Sequence, residues 1–112
     1  MNSERESRLS PSQVEAATEL VDYQEGSIVS RTLIGKEVGT VSVFAFSRGE
    51  GLSEHTAPYD ALIHVLEGEA GVNIGNESMS VQAGQMVLLP ANVPHAVQAP
   101  GDFKMMLTMV KA

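Results

Sequence analysis

The stretch SEHTAPYDALIHVLEGE, residues 53–69, decides how the rest of the chain is read. After Pro58 comes DALIHVLEG, residues 60–68, a short and largely apolar run closed by Gly68. Its length and its Gly and Pro boundaries predict a β-strand rather than a helix. His55 stands just ahead of the run and His64 within it, and the chain holds one further histidine, His95.

Working outward from that strand, similar runs recur from Gly26 to the end, separated by Gly, Asn and Pro at intervals of roughly 8 to 12 residues, the pattern of a sandwich or barrel. They are SIVSRTL, TVSVFAF, DALIHVLEG, AGVNIGN, SMSVQA, QMVLLP, HAVQA and FKMMLTMV. GNES, residues 75–78, reads as a hairpin turn, because Gly and Asn tolerate positive φ. VSVFAF and MMLTMV are apolar at both odd and even positions, so these strands are expected to be covered on both faces. A chain this short has little material for a second cover. A second copy related by a two-fold axis, giving a homodimer, is the expected supplier.

The other end reads differently. Residues 1–9 are polar and charged and predict a loose arm. Ser10 before Pro11 suits an N-cap and a first helical position, and Val14, Ala17 and Val21 recur at helical spacing, so a short helix is expected over residues 11–20. The expected organisation is residues 1–25 as arm and helix, and residues 26–112 as a single all-β barrel.

Composition narrows the function. With 112 residues the chain suffices for one domain and one pocket. Fourteen acidic against seven basic residues give a net charge of −7, which opposes nucleic acid as a partner. No window approaches the roughly 20 apolar residues of a membrane span, and MNSERESRLS carries charges where a signal peptide is apolar, so a cytoplasmic address is expected. With no cysteine, metal ligands would have to be His or carboxylate.

Two spacings are specific. Gly49, five residues, His55 and then VLEGE resembles the first motif of the cupins, in which a Gly precedes His-x-His, three or four residues, Glu, and a closing Gly. Gly84, five residues, Pro90-x-Asn92, two residues, His95 resembles the second, Gly-(five)-Pro-x-Gly-(two)-His-(three)-Asn. The resemblance covers about residues 26–111 and implies a double-stranded β-helix, the jelly-roll barrel of small single-domain cupins. It also implies four metal ligands: both histidines and the glutamate of the first motif, and the histidine of the second. His55 and His95 fall on the first and last of these. Ala57 falls on the second histidine, Ala61 on the glutamate, Asn92 on the second-motif glycine and Ala99 on its final asparagine.

With two ligands replaced by alanine, a third donor has to come from elsewhere. Asp60 and His64 are nearest. In the aligned register Ala61, Ile63 and Val65 face inward and both polar residues face out; a one-residue bulge exchanges the two sets. The candidate metal site is therefore His55, His64 and His95, suited to a divalent Zn, Ni, Mn or Fe. The candidate small-molecule site is His55 and His95 with the space beside Ala57 and Ala61 and with Met86. Strand parity draws its floor from Val43, Ala45, Ile63, Val65, Val72, Ile74, Met86, Leu88, Leu107 and Met109. Three functions stay open: a small-molecule-binding cupin, a metal-dependent cupin enzyme of dioxygenase or isomerase type, and a simple dimeric structural module.

Overall fold

Alternating runs and turns become nine strands in the computed structural model, which describes residues 9–112. They are β1 (Ile28–Lys36), β2 (Gly39–Phe46), β3 (Gly51–His55), β4 (Tyr59–Glu67), β5 (Glu69–Ile74), β6 (Glu77–Gln82), β7 (Met86–Leu89), β8 (His95–Gln98) and β9 (Phe103–Lys111). Two antiparallel sheets of order β1-β2-β9-β4-β7 and β3-β8-β5-β6 face each other as a jelly roll. Each of the eight expected runs contains one strand. The ninth, β3, has the polar sequence GLSEH, an edge position and mostly exposed side chains, and so lacks the apolar signal by which strands are found.

Between the sheets lies the core. Phe46 and Phe103 are fully buried and stacked, with centroids 4.5 Å apart. Ile63, Val65, Val72, Val81, Leu89 and Met105 extend the same cluster. Turn glycines hold the strands in place. Gly75 has φ 58° in the two-residue turn between β5 and β6, and Gly68 has φ 76° where an added Cβ would meet the Asp102 carbonyl oxygen at 2.5 Å.

The outer face of the larger sheet is half covered. Val21, Leu20, Tyr23 and Leu9 pack against Val43, Ala45, Leu33 and Met106. A polar clasp fixes this cover. Lys104, only 7% exposed, donates from Nζ to the Thr18 carbonyl at 2.6 Å and lies 4.9 Å from the Tyr23 ring centroid. The Tyr23 hydroxyl donates to Glu67 Oε2 at 2.5 Å. Burial, and then the hydrogen bond and charge of Glu67, push the Tyr23 phenol well above its ordinary value.

The cover itself is not the expected helix. Only a 3-10 turn, Ala17–Glu19, forms. Ser12 adopts φ 62°, outside helical geometry, and Val14 is fully exposed. A ten-residue helix is marginal without tertiary contacts, and the contacts this segment makes are better met by an extended path across the sheet. Most of the expected arm, residues 1–8, lies outside the described residues. Among the described residues no helix is long and apolar enough to cross a membrane.

Candidate functional site

Sequence parity alone would separate Leu52 from His55, since side chains three apart on a regular strand point to opposite faces. The β3–β8 ladder pairs Leu52 with Val97 and His55 with His95, leaving Ser53 and Glu54 opposite Ala96 alone. This β-bulge re-aims the end of β3. Leu52 and His55 consequently line one cavity together with Val97 and His95.

There the two imidazoles meet. Their Nε2 atoms are 3.1 Å apart, their centroids 4.4 Å, and the planes cross at 73°. Each ring is held from behind in the same way: His55 Nδ1 contacts the Ser53 carbonyl oxygen at 2.6 Å, and His95 Nδ1 contacts that of Val93 at 3.0 Å. A carbonyl oxygen only accepts, so each Nδ1 carries the hydrogen and donates it. In the neutral ring the lone pair is then on Nε2. Two such acceptors at 3.1 Å call for a hydrogen or a cation to satisfy both.

The cavity around them is small, about 50 Å³. One water needs roughly 10–15 Å³, while an apolar cavity that takes benzene measures about 150 Å³. The space therefore suits a few waters, one ion, or the polar head of a small molecule. Ala57 and Ala61 lie on its wall, with Ile63, Leu89, Met105, Leu107 and Met109. No lining side chain carries a carboxylate. The Asn92 N–H donates to the Ala57 carbonyl at 2.9 Å, tying the loop that follows His55 to the loop that precedes His95. Asn92 has φ 65°, a left-handed conformation that Asn, like Gly, tolerates.

The structure thus brings His55, His95, Ala57 and Ala61 to one cavity and leaves two candidates outside it. His64 pairs with Met86 on β7 and Met106 on β9, and the register of β4 is continuous from Ala61 to Val65. The bulge in β4 comes only between Val65 and Glu67, past His64, so His64 keeps the parity opposite to Ala61 and faces out. It cannot join the other two imidazoles. Met86 shares that outer face and is 56% exposed.

Parity also corrects the expected floor. Phe44 pairs with Met105 and packs against the core, which puts Val43 and Ala45 on the outer side beneath Val21. Val87 and Leu89 face in, and Leu88 faces out at 55% exposure. Ile63, Leu107 and Met109 do line the cavity, while Val65, Val72 and Ile74 belong to the core rather than to its wall. Asp60, also outward, accepts the Ala91 N–H at 3.0 Å. Among the described residues, no three or more His, Cys, Asp or Glu side chains converge on a common point. Leu52 and Met105 had no distinguishing sequence signal, the first because its strand is polar and the second because β9 is apolar at nearly every position.

Known proteins bear on this geometry. A family model described as Cupin domain matches residues 42–111. A conserved protein of unknown function from Streptococcus pyogenes is 32% identical, superposes with a TM-score of 0.89, and is matched over 93% of this chain and 91% of its own. A Cupin 2 conserved barrel domain protein from Leptotrichia buccalis is 43% identical with a TM-score of 0.81, over 84% of this chain and 46% of that one. Polyketide synthase CurC from Streptomyces cyaneus is 26% identical over 77 residues, 68% of this chain. The chain spans about half the length of that curated relative.

Proposed function

This chain belongs to the cupin domain family, and on that premise we propose that its barrel binds a small molecule whose polar head is anchored by His55 and His95. The observation that carries the reading is the pair of Nε2 acceptors 3.1 Å apart in an otherwise apolar cavity. A guest offering an O–H or N–H satisfies both lone pairs, and its apolar part rests on Ile63, Leu107 and Met109. The size of the cavity limits the buried head to a few atoms.

The divalent metal site implied by the family does not fit these residues. Such sites use three protein ligands and open positions, whereas here two imidazoles face a wall with alanines at the other two motif places. No carboxylate offsets a double charge. A second reading, catalysis, draws on the same dyad. A hydrogen held between the Nε2 atoms is positioned for transfer to a guest, as general acid–base chemistry requires, and one relative bears the name of a polyketide synthase.

NMR titration of the full chain with short alcohols, amines and phenol tests the binding reading. Guests are expected to shift the His55 and His95 ring signals together and to lose affinity in His95→Ala. Guests that move only outer-face signals such as His64 would refute it.

The working unit we propose is a two-fold dimer through the open half of the outer face. Ile34, Met86, Leu88 and Val110 are each at least half exposed there, around Leu62 and His64. Asp60 is the carboxylate on that part of the sheet, so a second copy of a chain with net charge −7 meets least repulsion across this face. Sedimentation is expected to give a dimer that Leu88→Glu converts to monomer; a monomeric wild-type chain would remove the proposal.

A further inference from the structure

We propose that the guest is a short aliphatic monocarboxylic acid, which gives its hydrogen to the pair formed by His55 and His95 and stays in the cavity as the carboxylate. This rests on the reading of the two imidazoles as a shared anchoring point, and it names the class of the guest.

The distance between the rings limits what can lie between them. Two hydrogens on one amine or amide nitrogen reach acceptors about 4.7–5.0 Å apart at ordinary hydrogen-bond lengths. The Nε2 atoms are 3.1 Å apart, within the range of a single N–H hydrogen bond. One hydrogen between the rings fits, and a pair of donors on a common atom does not.

That hydrogen brings a charge with it. Both Nδ1 atoms already carry hydrogens, held by the Ser53 and Val93 carbonyls. A hydrogen on either Nε2 therefore turns one neutral ring into an imidazolium. His95 is 8% exposed, and no side chain lining the cavity is a carboxylate. A buried cation without a partner is costly, so the negative charge that the wall does not supply falls to the guest.

Acid strength and size then choose the class. A carboxyl group is a stronger acid than imidazolium, and a phenol is a weaker one. In the transfer the guest's O–H bond breaks and its electron pair stays on oxygen, while the hydrogen joins the lone pair of one Nε2 and faces the other. The acid enters neutral, so the cavity gains no net charge. A chain with a net charge of −7 disfavours a guest bearing a second carboxylate. The cavity of about 50 Å³ accepts a carboxyl head, whereas one that takes a benzene ring measures about 150 Å³. An aliphatic tail meets Ile63, Leu107 and Met109 on the apolar wall.

Calorimetry of the full chain at neutral pH, with butyrate, butyramide, butylammonium and butanol as guests of similar shape, tests the assignment. Butyrate is ionised at that pH and draws the hydrogen from the buffer. It is expected to bind at least about ten-fold more tightly than butyramide, because hydrogen bonds to charged partners are the stronger ones. Histidine nitrogen NMR of the butyrate complex should show hydrogen on Nε2 of the pair while both Nδ1 atoms keep theirs, and His95→Ala should abolish binding. Butyramide or butylammonium binding as tightly as butyrate, with both rings shifted, would overturn the carboxylate class and leave the anchoring role standing. Bound butyrate with both Nε2 atoms bare would overturn the hydrogen transfer. If none of the four guests moved either ring, the anchoring role itself would fall with the proposal.

Discussion

Two polar clusters lie toward opposite ends of β4 and β9 and follow opposite rules. In the clasp of Lys104, Tyr23 and Glu67, the ammonium meets a carbonyl and the face of a ring, and the hydroxyl meets a carboxylate. Its pairing closes within the chain. In the dyad of His55 and His95, both donors are spent on the backbone and two acceptors face each other. The first cluster satisfies itself, whereas the second presents two acceptors to each other.

Separate substitutions should break the two clusters separately. Tyr23→Ala removes the ring beneath Lys104, the bond to Glu67 and part of the packing on Val43, and is expected to cost about 2–4 kcal/mol in chemical denaturation. Guest binding in the cavity should survive it at temperatures where the variant is folded. His95→Ala should do the reverse: stability within about 1 kcal/mol of wild type, because it relieves two facing acceptors, with guest binding lost. A His95→Ala chain that unfolded would show the dyad to be structural and would erase the contrast.

Tyr23→Phe sharpens the comparison with a smaller effect. The ring stays and the hydrogen bond goes, for a loss of about 1 kcal/mol at neutral pH. The folded-state phenol is held above its ordinary value of 10.0, so its contribution is intact below that pH and is lost as pH rises toward the raised value. Denaturation curves should therefore converge for wild type and Tyr23→Phe under alkaline conditions. A constant difference across that range would mean that the hydroxyl is not coupled to folding.

How much of this was legible in the sequence follows from what each residue's neighbours do. Strands such as DALIHVLEG and HAVQA announce themselves through apolar runs between turns, and the glycines at 49, 68 and 84 mark backbone that does adopt positive φ. The meeting of His55 with His95 was legible only as spacing between two motifs, because the bulge that aims His55 sits in a polar edge strand. Parity failed where both faces are apolar: nothing in VSVFAF distinguishes Val43 from Phe44, and nothing in MVLL distinguishes Met86 from Val87. For His64 the aligned register holds, since the displacing bulge falls beyond it. The expected helix failed for another reason. Spacing of Val14, Ala17 and Val21 fits one helical face, but only Val21 is buried against the sheet.

Histidine nitrogen NMR reads directly which ring nitrogen carries hydrogen, and so tests whether two Nε2 acceptors converge in the barrel. The account predicts Nδ1–H on both His55 and His95, with their Nε2 atoms sharing one hydrogen or engaged by a guest. A bare Nδ1 on either ring of the pair would contradict it.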